Sequence, residues 1–211
     1  ATLAELRSTG VLEVPSSPDY ISVKEAVLPW KRFPGEDTLL GPEMRATGEV
    51  MGVGATVGAA YAKALLAAGH VVPREGALFL SLADRDKALG LEVGRMFNEL
   101  GFRIYATHGT AGALVRHGVP ATGVDKVGEG PYDPVRLVED GQINLVINTP
   151  RGRRARGDGG LIRKAATRHG VPCVTTIQGG LAVAQSLTED HSVVTDVASL
   201  QDRHNALAAE G

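Results

Sequence analysis

From Gly76 onward the chain repeats one unit: a short apolar run followed by a stretch with helical spacing, five times over. The apolar runs are Ala77–Leu82, Phe102–Ala106, Pro120–Val124, Ile143–Asn148 and Pro172–Ile177. They are too short for core helices and largely apolar, as strands covered on both faces are. The helical stretches are Asp86–Leu100, Ala111–His117, Pro134–Asp140, Leu161–His169 and Leu181–Leu187. Gly101, Gly118, Gly141 and Gly170 fall where those helices should end, and Asp84 is placed to cap the first. Such alternation predicts an α/β domain, a mostly parallel sheet flanked by helices.

In sheets of this kind ligands gather beyond the carboxyl ends of the strands. That edge should hold Ser81–Lys87, Thr107–Thr110, Asp125–Gly130, Asn148–Arg156 and Thr175–Gly180. Within it, Thr107-His108-Gly109-Thr110 ends one strand and leads into a helix. Two hydroxyls and the free N–H groups of a helix N-terminus make a seat for a phosphate, because orphan donors and helix dipole both favour an anion. His108 stands beside the seat, where bonding to nearby backbone is its ordinary use. Arg151, Arg153, Arg154 and Arg156 read equally as a loop closing over an anionic ligand or as a solvated loop.

Composition narrows the function classes. A net charge of −2 argues against a general polyanion binder, and no aromatic residues interleave the arginines, so no nucleic-acid partner is expected. No apolar run approaches transmembrane length, so no membrane partner is expected either. The six histidines never take metal-ligand spacing, and Cys173, the single cysteine, suits a reducing, cytoplasmic setting as a small core residue. No metal site is expected.

The first third has a different texture. A short helix over Leu3–Arg7, a strand over Tyr20–Leu28, a long irregular stretch from Pro29 to Arg45, a strand over Glu49–Val53 and a helix over Val57–Ala68 capped by Thr56 are expected. So few elements around so long a loop should pack poorly alone and rest on structure outside the chain. The chain also starts at Ala1 in mid-pattern, as a piece of a longer protein would.

Val23–Gly35 and the run Leu39-Leu40-Gly41-Pro42-Glu43-Met44-Arg45, continuing to Gly54, resemble the end of the second ATP-grasp unit in the large subunit of glutamine-hydrolysing carbamoyl phosphate synthetase. Thr107–Thr110, Val124–Gly130 and Ile147–Arg154 resemble that subunit's C-terminal regulatory domain. The resemblance implies an incomplete synthetase end over 1–70 and a methylglyoxal-synthase-like allosteric domain over 76–211. It implies a parent ligase that makes carbamoyl phosphate from bicarbonate and glutamine-derived ammonia, for pyrimidine and arginine biosynthesis. ATP and Mg would serve the parent; this portion would have no cofactor and no catalytic residue. Partners would be the rest of the large subunit, a glutaminase small subunit and nucleotide effectors, UMP or IMP, with homo-oligomers possible. By motif, Thr107, Thr110, Lys126 and Lys87 would hold the effector phosphate, and Asn148 and Thr149 would line the sugar and base side.

Two departures bear on regulation. Asn148-Thr149-Pro150 stands where bacterial members often read Asn-Thr-Thr. Glu25 and Thr175 match two positions of the family's ornithine site, but its Tyr-Asp-Thr segment is Cys173-Val174-Thr175 here. The same fold also carries an alternative, an autonomous lyase of the methylglyoxal synthase type acting on a small sugar phosphate. That chemistry needs a carboxylate base by the phosphate seat, and in the matching loops only Glu129 is acidic, in an awkward place.

Overall fold

A computed structural model describes residues 1–10, 20–28, 48–149, 157–202 and 205. The stretch 29–47, with most of the synthetase-like motifs, and the arginine loop 151–156 lie outside the described residues.

Five strands form one sheet in the order β5-β4-β3-β6-β7: β3 (Ala77–Ser81), β4 (Arg103–Thr107), β5 (Thr122–Val124), β6 (Leu145–Asn148) and β7 (Cys173–Val174). Every pairing is parallel. Central β3 is buried from Ala77 to Leu80, and strand alternation divides its side chains between two cores. Leu78 and Leu80 join Ile104, Leu145 and Ile147 beneath α3 (Lys87–Glu99), α4 (His108–Arg116) and α7 (Ile177–Thr188). Phe79 and Val146 face Leu137, Val138, Ile162 and Ala165 of α5 (Pro134–Glu139) and α6 (Asp158–Arg168). The chain moves outward from β3 to β4 and β5, then returns to β3's other side with β6. That reversal opens a crevice at the carboxyl ends of the central strands.

Four expected helix ends hold: Gly101, Gly118, Gly141 and Gly170 take φ of 86°, 79°, 69° and 68°, a conformation that glycine adopts without a Cβ penalty. Other boundaries differ. Asp84 is not the cap of α3, which is Asp86; it opens a 3-10 turn, Asp84–Asp86, after Ala83. Helix α4 begins three residues earlier than its apolar spacing suggests, with Thr107 at the N-cap, so His108, Gly109 and Thr110 form its first turn. Helix α6 begins at Asp158, three residues before Leu161, with Gly157 as its cap. Strand β7 ends at Val174, because the Thr176 hydroxyl accepts from the Gly179 N–H at 3.1 Å and starts α7 there. A short helix, α8 (His191–Thr195), has no counterpart in the sequence reading.

The N-terminal elements are α1 (Leu3–Ser8), the antiparallel pair β1 (Ile21–Val27) and β2 (Gly48–Gly54), and α2 (Val57–Ala67) with Thr56 as its cap. Small residues let β2 and α2 touch along their backbones. A Cβ on Gly52 would lie 2.0 Å from the Ala60 carbonyl oxygen, and one on Gly54 would lie 2.8 Å from the Ala60 nitrogen. The opposite side of α2 meets α7: a Cβ on Gly58 would come within 2.7 Å of the Gln185 carbonyl oxygen. Thr56 also hydrogen bonds the Glu189 carboxylate. Leu65 belongs to the same buried cluster as Leu78, Leu80, Val183 and Ala184. Within this segment β2 and α2 therefore find packing partners in the chain, whereas α1 buries no residue and β1 is only half-buried.

Candidate functional site

A cleft of about 410 Å³ opens at the carboxyl edge of the sheet, bordered by Ser81, Lys87, Thr107–Thr110, Asp125–Val127 and Asp158–Gly159. A larger, more open hollow of about 580 Å³ lies elsewhere, between Tyr20, Val53, Lys63, Ser192 and Asp196. It holds none of the site residues singled out from the sequence, so volume does not choose the site.

Donor geometry does. The Thr107 hydroxyl donates to the Thr110 hydroxyl at 3.1 Å, and Thr110 Oγ1 accepts from the Leu82 N–H at 3.3 Å. Thr110 is 2% exposed, so this short network ties the β3 loop to the first turn of α4. With its acceptor sites used, Thr110 has one hydroxyl proton to give. Lys87 opens α3 and crosses to that same turn, its Nζ 3.6 Å from where a Gly109 Cβ would sit and 2.7 Å from Asp84 Oδ1. Lys126 comes from the other side, its side chain 73% exposed and 3.8 Å from Glu129. The exposed Lys126 pair holds its partner weakly, which leaves that ammonium available to a dianion, whereas Lys87 is 28% exposed and held close to Asp84.

The loop carrying Lys126 is shaped by two carboxylates. Asp133 accepts from the Gly128 N–H at 2.6 Å and the Val135 N–H at 2.7 Å, and Asp125 accepts from the Tyr132 N–H at 3.1 Å. A Cβ on Gly130 would lie 2.1 Å from Asp125 Oδ2, so a side chain there would push the carboxylate from its place. The His108 ring lies over β5, with Nδ1 2.7 Å from where a Gly123 Cβ would sit. Sequence reading passed over Asp133, Gly123 and Gly130; the Asp133-Pro134 step, a cap followed by proline at N1, was the available signal for the first.

Asn148 and Thr149 stand behind the cleft and not on its wall, 2% and 5% exposed. Thr149 Oγ1 accepts from the Ala83 N–H at 2.8 Å, and Asn148 Oδ1 accepts from Arg163 Nη1 at 3.3 Å. Arg163 itself is fully buried, a residue that sequence reading did not single out.

Residues 90–175 match the family described as the MGS-like domain. The chain is 47% identical over 193 residues to the carbamoyl phosphate synthase large chain of Rubrobacter xylanophilus, across 91% of this chain and 18% of that one. It is 46% identical over 197 residues to the C-terminal section of the carbamoyl phosphate synthase large chain of Aquifex aeolicus, across 91% and 37%. With the corresponding section from Methanocaldococcus jannaschii it shares 45% over 173 residues, across 82% and 28%. The chain belongs with the C-terminal part of carbamoyl phosphate synthase large chains. It spans 18% to 37% of the length of these three relatives.

The MGS-like match takes in Thr107, Thr110, Lys126, Asn148, Thr149 and Thr175, while Lys87 and Glu25 precede it. Glu25 lies on β1, where burial pushes its carboxyl above the ordinary 4.5 and the charge of His70 partly opposes this. Burial, aided by Glu25, pushes the Tyr61 phenol up to about 12. The Tyr61 hydroxyl is 3.9 Å from where a Gly179 Cβ would sit, in the first turn of α7 that follows Thr175 and Thr176. A carboxyl held above its ordinary value binds its proton more tightly folded than unfolded. Its contribution to stability is complete below pH 4.5 and is lost as pH rises through the folded value. Glu25→Gln should remove that decline: between about pH 4 and pH 7 the variant's melting temperature should rise relative to the parent's. Parallel profiles in thermal melts would show that Glu25 is solvated.

Among the described residues no helix is long and apolar enough to cross a membrane, and no cluster of three or more His, Cys, Asp or Glu is placed to hold a metal.

Proposed function

We propose that this chain is the regulatory region of a carbamoyl phosphate synthase large chain and binds a nucleoside monophosphate such as UMP or IMP. The observation that carries the reading is the convergence of the α4 N-terminus, two threonine hydroxyls and the ammonium groups of Lys87 and Lys126 on one cleft. Residues 76–211 form the effector domain, and 1–70 close the second ATP-grasp unit. The whole enzyme, cytoplasmic, makes carbamoyl phosphate from bicarbonate, ATP and glutamine-derived ammonia with a glutaminase small subunit. Carbamoyl phosphate then feeds pyrimidine and arginine synthesis. This region contributes no catalytic group. The bound effector favours one of two global states, a coupling of the order of 1–3 kcal/mol.

Lys126→Ala tests the site. Loss of one charge-assisted contact should weaken uridylate by about 1–3 kcal/mol, roughly five- to 150-fold, and leave affinity for uncharged uridine as it was. Calorimetric titration checks both, and equal uridylate affinity in the variant would move the phosphate elsewhere.

Ornithine should bind this chain poorly. Cys173-Val174 supplies no carboxylate for an ammonium, and a charge-assisted hydrogen bond lost is about 1.5–3 kcal/mol, enough to carry a micromolar ligand towards millimolar. Clear micromolar heats would contradict this.

One observation bears on the lyase alternative. Asp125 and Asp158 both border the cleft. Asp125, however, accepts from the Tyr132 N–H and holds its loop, and Asp158 is the first residue of α6, at the positive end of that helix's dipole. Glu129 is on the exposed loop beside Lys126. Effector binding is the better reading, and a methylglyoxal assay with dihydroxyacetone phosphate separates the two.

A further inference from the structure

One carboxylate stands at the wrong end of its own helix. Glu189 is the C-cap of α7, where the helix dipole is negative and disfavours an acid. The neighbouring helix explains its place. The Glu189 carboxylate accepts from the Thr56 hydroxyl at the N-terminus of α2, while Thr56 Oγ1 accepts from the Ala59 N–H at 3.0 Å. The positive pole of α2 thus holds an acid that α7 supplies. Beside this pair the two backbones close, since a Cβ on Gly58 would also lie 2.8 Å from Glu189 Oε1 and 2.9 Å from the Gln185 carbonyl carbon. A turning side chain cannot absorb a shift between main chains in contact, and α2 meets β2 in the same way at Gly52 and Gly54. A displacement of α7 therefore carries α2 and β2 with it. The other end of α7 reaches the cleft. Ile177, its first residue, shares one buried cluster with Leu82 and with Leu65 of α2. Leu82 borders the cleft, and its N–H donates to the Thr110 hydroxyl. Leu82 and Ile177 both fit over Gly90 of α3, their Cδ1 atoms 2.2 Å and 3.9 Å from where a Gly90 Cβ would sit.

Resting on the effector-binding reading above, we infer that α7 carries the state of the cleft to β2 and α2, and that the Thr56–Glu189 pair is the joint that makes α2 follow it. A phosphate that takes up the Thr110 hydroxyl bears on Leu82, and through Leu82 on the start of α7. At the far end Glu189 passes a displacement of α7 to the first turn of α2. Glu189 is a positioning residue and touches no ligand. Packed interfaces hold discrete arrangements and do not yield by degrees, so a small shift at the cleft need not fade along the helix.

Hydrogen exchange across the 211-residue chain, with and without saturating uridylate, tests the joint. In the parent, the amides of α2 should change rate on saturation by about fivefold or more, the lower end of ordinary coupling. Thr56→Asp keeps a good cap for the Ala59 N–H but sets two carboxylates against each other. In that variant the α2 response should fall below about twofold, while amides around Leu82 and Thr110 respond as in the parent. Glu189→Ala, which leaves Thr56 its capping oxygen, should behave alike. Glu189→Gln added to Thr56→Asp returns a donor to the pair and should restore the response. An α2 response that survives in Thr56→Asp and Glu189→Ala, as general stabilisation by a ligand would give, overturns the joint. So does a parent that binds uridylate with α2 unmoved, or a double variant that stays uncoupled. A parent chain that binds neither uridylate nor inosinate in calorimetry fails differently, taking the effector-binding reading and this inference together.

Discussion

Phe97→Ala should lower the free energy of unfolding by about 3–5 kcal/mol. Phe97 lies on the inner face of α3, fully buried, and meets Phe102 edge-on with ring centroids 5.2 Å apart at 84°. That pair joins the end of α3 to the entry of β4, and Val93 and Leu114 belong to the same cluster. An alanine leaves a void that close-packed neighbours fill only in part and removes the edge-to-face contact as well. Urea unfolding should show a lower midpoint with an unchanged slope. A loss under about 1 kcal/mol would mean that the α3 face is not packed as described.

Thr110→Val should damage the site and the fold together. The hydroxyl accepts from the Leu82 N–H in a place closed to water, so an isosteric methyl leaves that amide unpaired, at about 1–3 kcal/mol of stability. It also removes the proton offered to the proposed phosphate, about 1.5–3 kcal/mol of binding, or roughly ten- to 150-fold in Kd. Thr110→Ser keeps the oxygen and should restore most of both. Melting curves and uridylate titrations of the two variants separate these effects. Unchanged binding in a stable Thr110→Val chain would show that the hydroxyl serves the loop alone.

The strand–helix order was legible because central β3 and β6 are buried on both faces and read as apolar runs, with glycines marking the helix ends. Helix starts were harder. Thr107 to Thr110 are polar or glycine, so apolar spacing placed the start of α4 at Ala111, although the backbone turns helical at His108. The threonines of the cleft could be named from their place between a strand and a helix, and its lysines from the family resemblance. Arg163 could not, because an arginine in a helix defaults to the surface and only the tertiary arrangement buries this one. The contact of α2 with α7 was equally hidden. It depends on Gly58 fitting against the Gln185 carbonyl, and nothing local in either helix names the other. Leu39–Arg45, which carries the most specific resemblance, lies outside the described residues.

The two outermost strands of the five-stranded sheet, β5 and β7, are three and two residues long. An incoming strand would find too few free N–H and C=O groups there to build a ladder, which is how native sheets avoid fusing edge to edge. This sheet is therefore closed to β-augmentation from either side. Any neighbouring protein surface must read it through its helices and the loops at its carboxyl end, so that a ligand seated among those loops lies where a neighbour would register it.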